Sequence, residues 1–484
     1  MSKCDVVLIF PPIRTWDNPR NFPTGTGLVA AILRDAGYSV KVIDANGLRL
    51  TQEQTVELLK EYDPAIIGVG GLITTYKWIK ELMPLVREGL PGKPVVLGGS
   101  VGTSIIETAL RNLDIDIICV CEGDVTMPIL VDALLNGKEI ADIEGIAYLK
   151  DDQVVKTPER TMVADLDALP MVAWDLFPMD VYLQNPVVGV GRDIDIISSR
   201  GCPFNCRYCY RIFGRKFRAR SAANVVAEIE ALRERYDVDF ISFQDDCFVI
   251  DKKRVYEICD LMDAKGLSKH IRWSCTGRVT VCDYDLLKRM KDSGCVSVSY
   301  GIESGSQDIL NNMGKDATLD QDRAAIANTR KAGLRCPVSF MIGYPGETEE
   351  TVMQTVEFCK EENIPLSALM FTCPYPGTAL YEQVKDTENF KKQYPTEEEF
   401  VLTIGDAIDF TVNLTDIDKD ELISIRDRAL KLVAESYVGP TAAEIEAQDK
   451  ELYGPELYAK AQKQMENPAM QEHRKRHGFN EGKK

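Results

Sequence analysis

Residues 198–211 read SSRGCPFNCRYCYR and hold Cys202, Cys206 and Cys209 in a Cys-x3-Cys-x2-Cys arrangement. Three thiolates at this spacing can bind three irons of a [4Fe–4S] cluster and leave the fourth iron open for reaction, whereas clusters that only transfer electrons use four cysteines. A zinc site is the alternative, but zinc prefers four ligands. The chain has no second Cys-x2-Cys pair and no histidine before His270, so zinc would require a distant cysteine.

Strand-like runs alternate with helical segments on both sides of this motif, from residue 191 to residue 388. The strand-like runs are DIDIISS, VDFISFQDD, IRWSCTGR, VSVSYGIES, LRCPVSFMIGYP and LSALMFTCPYPG. They predict a partial (β/α)6 barrel, open on one side. The cysteine motif follows the first of these strands, at the strand end where barrel enzymes carry their chemistry.

Residues 1–150 show a second alternating pattern, which begins with the buried-strand run CDVVLIF. Short apolar strands that alternate with amphipathic helices predict an α/β fold, a doubly wound parallel sheet of the flavodoxin-like kind. The run EGIAYLKDDQVVKTP predicts a hairpin with an Asp-Asp turn, and residues 151–190 are interpreted as a linker. Residues 389–484 predict a mostly helical, acidic C-terminal region.

The composition argues against two classes of protein, nucleic-acid-binding and membrane-spanning. The 484 residues carry a net charge of −18, which argues against nucleic-acid binding because such binding needs a basic surface. No apolar run reaches the roughly 20 residues of a membrane span, no N-terminal signal pattern is present, and 14 cysteines indicate a reducing compartment. We expect a cytoplasmic protein, in keeping with an anaerobe. The basic segment RIFGRKFRAR, residues 211–220, is either a set of anion contacts or a solvated loop.

The cysteine motif, with Tyr208 before its third cysteine, resembles the radical S-adenosylmethionine (SAM) superfamily, whose open iron binds the amino and carboxylate groups of SAM. The resemblance implies SAM contacts at successive strand ends of the barrel. It implies that Asp245 and Asp246 contact the amino group of SAM. It also implies that Arg278 contacts the SAM carboxylate, since a guanidinium can form two parallel hydrogen bonds to a carboxylate. It places Glu303 and Ser304 near the ribose or methionine moiety, and Ile342 near the adenine.

The strand ends of residues 1–150 resemble the cobalamin-binding domains attached to many radical SAM enzymes. The segments that carry this resemblance are GGLITTY, GGSVGTS and CEGDVTM. It implies cobalamin contacts from Gly71, Leu72, Ile73, Thr74, Thr75, Gly98, Gly99, Ser100, Glu122 and Gly123. Dinucleotide binding at GTGLVA is the competing interpretation, but a proline-containing segment separates that string from the first strand, where the dinucleotide fingerprint should follow at once.

The histidine content adds a further expectation about cobalamin. The three histidines are His270, His473 and His477, so residues 1–150 have no imidazole to offer to cobalt. We therefore expect base-off cobalamin without a histidine ligand.

The two resemblances together indicate a cobalamin-dependent radical SAM enzyme, a group that includes class B methyltransferases and a porphyrin-ring cyclase. They imply a C-methyltransferase that moves a methyl group from SAM, through methylcobalamin, to an unactivated carbon activated by the 5′-deoxyadenosyl radical. The substrate is a small molecule or a peptide or protein side chain, such as one in methyl-coenzyme M reductase, and an external donor such as ferredoxin or flavodoxin supplies electrons. The alternatives are a cyclase or rearrangement enzyme without methyl transfer, and a non-catalytic cobalamin sensor or carrier.

Overall fold

The structure is a computed structural model that describes residues 4–15, 18–19, 21–184, 191–366 and 368–465. It contains two large parallel sheets, one in each half of the chain, with a packed connector between them and helices at the C-terminus. His473 and His477 lie outside the described residues.

The N-terminal sheet has seven strands in the order β2-β1-β3-β4-β5-β6-β7. They are β1 (Cys4–Phe10), β2 (Val40–Asp44), β3 (Pro64–Gly71), β4 (Val95–Gly98), β5 (Ile117–Cys119), β6 (Ile146–Lys150) and β7 (Gln153–Lys156). The first five are parallel, which confirms the doubly wound fold. Strand order reverses between β1 and β3, so ligands are expected at the carboxyl ends there. The predicted hairpin forms β6 and β7 and extends the sheet, with Asp151 and Asp152 in its turn.

The helices of this half are α1 (Thr24–Asp35), α2 (Gln52–Tyr62), α3 (Tyr76–Gly89), α4 (Gly99–Ser104), α5 (Ile106–Asn112) and α6 (Gly123–Leu135). The sequence predicts one helix over residues 103–112, but the structure has two, and α4 starts directly after β4. Gly99 makes this turn with φ +78°, and a Cβ there would overlap the Gly71 carbonyl oxygen. Only glycine permits both the positive φ and this close approach.

The segment interpreted as a linker is packed against the N-terminal half, and it includes α7 (Met179–Leu183). Its aromatic residues surround Phe22, with ring centroids 4.4 Å away for Trp174, 4.7 Å for Phe177 and 5.3 Å for Tyr182. Aromatic pairs at these separations bury much apolar area and hold specific geometries. The connector therefore fixes the start of α1 in place.

The second sheet has six strands in the order β15-β14-β13-β12-β11-β8, with every neighbouring pair parallel. They are β8 (Asp193–Ile196), β11 (Phe240–Phe243), β12 (Arg272–Thr276), β13 (Cys295–Glu303), β14 (Val338–Ile342) and β15 (Leu369–Phe371). Each lies within one of the six predicted runs, except that β13 begins one residue earlier, and β8 and β15 form the edges, which confirms the open partial barrel. A short antiparallel pair, β9 (Ser199–Arg200) and β10 (Arg218–Ala219), flanks the cysteine loop.

Helices follow the strands of this sheet along the chain. They are α8 (Ala222–Tyr236), α9 (Lys252–Ala264), α10 (Tyr284–Asp292), α11 (Gln307–Asn312), α12 (Leu319–Lys331), α13 (Glu349–Glu361) and α14 (Ala379–Val384). None of the helices in the described part of the chain combines the length and apolar character that a bilayer-spanning segment requires.

The C-terminal region is helical, as predicted, with α15 (Glu388–Gln393), α16 (Glu397–Val401), α17 (Lys419–Ser436) and α18 (Ala442–Met465). Helix α16 connects the two halves of the molecule. Glu398 accepts a hydrogen bond from Tyr76 of α3 at 2.7 Å, and Glu397 accepts one from Tyr381 of α14 at 2.9 Å. We call this pair of glutamates the C-terminal bridge.

Candidate active site

The cysteine loop lies between β9 and β10, at the carboxyl end of β8. Cys206 is buried and Cys202 is half-buried. Desolvation raises the pKa of Cys209 to about 12, and the nearby thiols of Cys206 and Cys202 contribute. The Cys209 thiol is therefore protonated at neutral pH in the free loop, and cluster assembly must release its proton.

The donor set of this loop fits a [4Fe–4S] cluster better than zinc. Among the described residues, no group of three or more His, Cys, Asp or Glu side chains is arranged to hold one metal ion. Zinc needs its ligands around one centre. In an iron–sulfur cube each thiolate binds a different iron, so three thiols spread along one loop suit the cube.

Arg278, predicted to reach the SAM carboxylate, is directed toward the cysteine loop. Its Nη1 donates to Cys206 Sγ at 3.4 Å, and its guanidinium carbon lies 4.1 Å from the centroid of the Phe204 ring. Nη2 donates to the backbone carbonyls of Lys315 and Asp316.

Tyr208 and Glu303 meet beneath the loop, together with a lysine that the sequence did not indicate. The Tyr208 hydroxyl donates to Glu303 Oε1 at 3.0 Å, and Lys315 Nζ lies 3.4 Å from the same oxygen. Burial and the Glu303 charge raise the pKa of Tyr208, which keeps its phenol neutral. Glu303 has φ +72°, a left-handed conformation that is strained in a residue other than glycine and that occurs often at functional sites.

The paired aspartates have different surroundings. Asp245 is buried and accepts hydrogen bonds from the Ser198 backbone N–H, the Ser198 hydroxyl and the Ser199 hydroxyl, each at 2.6 Å. It thus fastens β9 to the end of β11. Asp246 is exposed and accepts one bond from the Gly201 N–H at 3.0 Å. Of the two, Asp246 has the carboxylate that remains free to meet a ligand.

The other two predicted SAM contacts lie at strand ends as expected. Ile342 ends β14, is buried, and its carbonyl accepts from the Thr372 N–H at 2.8 Å. Ser304 is buried and its hydroxyl accepts from the Ser306 N–H at 3.1 Å, which caps the turn before α11. Both residues therefore accept hydrogen bonds from backbone N–H groups of loops at the carboxyl ends of the strands.

Asp322, in the first turn of α12, is a buried carboxyl that sequence reasoning missed. It has no exposed surface, and neither of its oxygens has a hydrogen-bond partner. Burial raises its pKa to about 7, against the opposing effect of the Lys315 and Arg278 charges. Such an unpaired buried acid is costly when it ionises.

Asp322→Asn is expected to gain stability over the wild type as pH rises from 5 to 8. Between the ordinary pKa of 3.8 and the folded-state pKa of about 7, the folded protein keeps a proton that the unfolded chain has released, so the free energy of unfolding falls as pH rises. A rise of this size corresponds to at most about 4 kcal/mol. Thermal unfolding of both proteins across this pH range measures the effect, and a difference in Tm that does not change with pH would contradict it.

The carboxyl ends of β3 and β4 form the surface predicted to bind cobalamin. Gly71 and Gly99 lie side by side in a parallel bridge. The next residues form one tight helical turn, where Ser100 Oγ accepts from the Ile73 N–H at 3.1 Å and Thr75 Oγ1 donates to the Leu72 carbonyl at 2.7 Å.

The side chains of this turn divide into two groups. Ile73 and Thr75 are buried and Thr74 is half-buried, whereas Leu72 is 46% exposed. Leu72 is therefore the apolar side chain of this turn that is available to a ligand. Gly98 adds to the opening, because a Cβ built there would meet no atom within 4 Å. The surface is therefore open for the close approach of a flat ligand.

Gly98→Leu is expected to weaken cobalamin binding without disturbing the fold. The backbone at Gly98 is extended, with φ −133°, so a side chain is tolerated and would project into the open space. Overpacking of a binding surface costs roughly 1–3 kcal/mol, which corresponds to an affinity loss of about tenfold or more. Equilibrium binding of cobalamin measures the loss, and iron and sulfide content serves as the internal control. Unchanged affinity would show that cobalamin does not approach Gly98.

Glu122, predicted to contact cobalamin, is engaged by the second half of the chain. Its Oε1 lies 2.7 Å from Arg218 Nη2 and 2.9 Å from Arg200 Nη1, and Asp124 also pairs with Arg200 at 2.7 Å. These four side chains are 3–9% exposed. Although burial opposes ionisation, Arg218 and Arg200 hold the pKa of Glu122 below its ordinary value. We call these four residues the ion-pair latch.

Gly123 serves packing. A Cβ there would lie 3.1 Å from Met127 Cγ of the same helix, a tight contact, and 3.5 Å from Val29 Cγ2 of α1, an ordinary one. Gly123 therefore packs in the first turn of α6, which carries Asp124 of the latch.

The basic segment of residues 211–220 is neither wholly a set of anion contacts nor wholly a solvated loop. Arg218 belongs to the latch, Arg220 pairs with Glu228, and Arg211 donates to the Phe204 carbonyl. Arg215 and Lys216 are exposed. Most of the segment is therefore structural, and only its tip is free for anions.

Comparison with known proteins supports both resemblances. The radical SAM superfamily model matches residues 196–359, and the B12 binding domain model matches residues 20–131. The chain is 33% identical over 390 residues to an uncharacterized methyltransferase of Pyrococcus horikoshii, covering 79% of this chain and 83% of that protein. It is 28% identical to the anaerobic magnesium-protoporphyrin IX monomethyl ester cyclase of Cereibacter sphaeroides, covering 81% of this chain and 66% of the cyclase.

Solved structures share the fold at low identity. The radical SAM methyltransferase TsrM from Kitasatospora setae, with cobalamin and a [4Fe–4S] cluster bound, superposes with a TM-score of 0.72 at 16% identity, covering 98% of this chain and 100% of TsrM. The cobalamin-dependent SAM radical enzyme OxsB gives a TM-score of 0.66, and the match spans 56% of its length. The chain belongs to the cobalamin-dependent radical SAM enzymes, whose cofactors are a [4Fe–4S] cluster, SAM and cobalamin.

Proposed function

We propose that this enzyme is a C-methyltransferase that moves a methyl group from SAM, by way of cobalamin, to an unactivated substrate carbon. One observation supports the proposal: Tyr210, the residue after Cys209, packs against Ser104 of α4, the helix that begins beside the surface predicted to bind cobalamin. The Tyr210 hydroxyl hydrogen-bonds with the Ser104 side chain, and Gly377 lies beside both, since a Cβ built there would be 2.7 Å from Tyr210 Cε2 and 3.4 Å from Ser104 Cβ. Ser104 ends α4, and α4 begins at the cobalamin surface.

This contact supports a substrate that lies between two cofactors. When bound, cobalamin supplies a methyl group and the cluster with SAM supplies a radical. The protein contributes orientation, because proximity of reacting groups replaces an unfavourable encounter in solution. The ion-pair latch and the C-terminal bridge also join the two halves. A low-potential donor such as ferredoxin or flavodoxin supplies electrons.

The predicted SAM and cobalamin contacts become part of this proposal in a revised form. Asp246, Arg278, Glu303 and Ile342 surround the cluster loop or the strand ends beside it, and Leu72 with Gly98 lines the cobalamin surface. Asp245 and Glu122 hold the backbone and the other half of the chain, so we assign them positioning roles. The similar proteins give no support for a side chain of methyl-coenzyme M reductase as the substrate, and that interpretation is not carried further.

A cyclase-type reaction without methyl transfer is the second candidate. It is favoured by the match to the anaerobic cyclase over 81% of this chain. A cobalamin sensor or carrier is disfavoured, because such a protein has no use for the three-thiol loop.

The experiment that tests the proposal uses the enzyme reconstituted anaerobically with iron, sulfide and cobalamin. Incubation with methyl-deuterated SAM and a strong reductant should yield S-adenosylhomocysteine, 5′-deoxyadenosine and a labelled methyl group on the isolated cobalamin. Omission of cobalamin should remove S-adenosylhomocysteine but leave 5′-deoxyadenosine. If 5′-deoxyadenosine forms while S-adenosylhomocysteine and labelled cobalamin do not, methyl transfer is wrong and the cyclase-type reaction is favoured.

A further inference from the structure

Arg278 makes a side-chain hydrogen bond to a cluster cysteine, Cys206, which also interacts with the Tyr208 hydroxyl. Its Nη1 donates to Cys206 Sγ at 3.4 Å, a normal distance for a bond to sulfur. Arg278 is 7% exposed, so this bond lies in a region of low dielectric constant. Hydrogen bonds and charges are stronger in such surroundings than in water.

The neighbours of Arg278 fix this orientation. Nη2 donates to the carbonyls of Lys315 and Asp316, and the guanidinium stacks on Phe204, which belongs to the cysteine loop itself. Nε is buried without a hydrogen-bond partner. A swing of the guanidinium toward a SAM carboxylate would break the carbonyl bonds and the ring contact together. The placement therefore favours a lasting contact with the thiolate.

The charge of Arg278 also lacks a close counter-ion. Within the described ranges, no carboxylate oxygen is recorded within 4.0 Å of its guanidinium nitrogens, and its acceptors are carbonyls, a sulfur and a ring. The adjacent Lys315, by contrast, has Glu303 at 3.4 Å. Arg278 thus presents to the cysteine loop a positive charge that has no ion-pair partner within 4.0 Å in the described ranges, although the buried Asp322 carboxyl interacts with it at longer range.

We propose that Arg278 tunes the reduction potential of the cluster through its N–H bond to the Cys206 thiolate. Reduction adds one electron, taken from the external low-potential donor, and places one more negative charge on the cluster without a proton. A nearby positive charge and a hydrogen bond to sulfur both favour the more negative state, and these are recognised determinants of cluster potential. Arg278 therefore makes the cluster easier to reduce. This role concerns the cluster alone and does not depend on methyl transfer.

A redox titration followed by electron paramagnetic resonance, on reconstituted full-length protein without substrate, tests the proposal. Arg278→Gln should shift the midpoint potential of the cluster to a more negative value. Arg278→Lys keeps the charge but not the planar fork, so its shift should be smaller.

Arg272→Gln is the matched control, because Arg272 is the first residue of β12, the strand that precedes Arg278, and donates to the Leu452 carbonyl at 2.7 Å. Its potential should equal that of the wild type.

SAM binding to the same variants separates this role from a carboxylate contact. If Arg278 serves the thiolate, the Kd for SAM should change only about threefold or less. An unchanged midpoint potential in Arg278→Gln would overturn the proposal. If the same variant also lost more than about tenfold in SAM affinity, Arg278 would be assigned to the SAM carboxylate. Iron and sulfide content verifies cluster assembly. Should Arg278→Gln fail to assemble a cluster, an unchanged potential in Arg278→Lys overturns the proposal by itself.

Discussion

Cys206→Ala is expected to abolish the formation of 5′-deoxyadenosine from SAM. Cys206 is the buried member of the three cluster cysteines and the one bonded to Arg278. Its removal leaves two thiolates for a cluster that needs three, and it exposes the buried guanidinium to an apolar methyl group. Product analysis by mass spectrometry under anaerobic, reducing conditions measures the loss, with iron and sulfide content determined on the same samples.

Cys336→Ala is the matched control for this prediction. Cys336 is a half-buried cysteine in the loop before β14, outside the cysteine motif. Its replacement should leave both the iron content and the rate of 5′-deoxyadenosine formation near those of the wild type. Full activity in Cys206→Ala, or zinc in place of iron in the purified wild type, would overturn the assignment of the cysteine loop to the cluster.

Glu122→Ala is expected to destabilise the protein by about 3–5 kcal/mol, the cost of leaving a buried charge without its partner. Arg218 loses both of its carboxylate contacts, and Arg200 keeps only Asp124. Because the latch joins the cobalamin half to the strands beside the cysteine loop, its loss should also loosen the alignment of the two cofactors. We therefore expect a lower Tm together with a higher ratio of 5′-deoxyadenosine to S-adenosylhomocysteine.

Glu107→Ala provides the comparison for this variant. Glu107 pairs with Arg111 on the surface of α5, and its side chain is 67% exposed. Exposed ion pairs contribute only about 0–1 kcal/mol. Its Tm should stay near that of the wild type at every salt concentration, and the product ratio should not change. Equal behaviour of the two alanine variants would show that the latch does not hold the halves together.

Local patterns carried most of what the sequence predicted correctly. Each of the six barrel strands is a short apolar run, and the cysteine motif occupies eight consecutive positions. Residues adjacent in the sequence therefore suffice to predict both features. The latch joins residues 76 and 96 positions apart in the chain, and no local pattern identifies such partners. The sequence thus indicated a basic segment but not its acidic counterpart.

Two other features escaped prediction for related reasons. The glycine- and serine-rich start of α4 favours a loop, because both residues are weaker helix formers than alanine, yet tertiary contacts with β3 make it helical. Asp322 follows Thr318 and Gln321, which form an ordinary capping box at the start of α12. An acidic residue in a first helical turn usually faces solvent and interacts with the helix dipole, and only the packing shows that Asp322 points inward.

The C-terminal bridge can form only late in the synthesis of the chain. Tyr76 and Glu398 are 322 positions apart, and Tyr381 and Glu397 also lie near the end of the barrel. A ribosome adds roughly 5–20 residues per second, so the bridge can close only about 15–60 s after α3 has been synthesised. Until then, helix α3, which follows the surface predicted to bind cobalamin, lacks its contact with the C-terminal region. If cobalamin binds during synthesis, it therefore meets a chain in which α3 is not yet held by the C-terminal bridge.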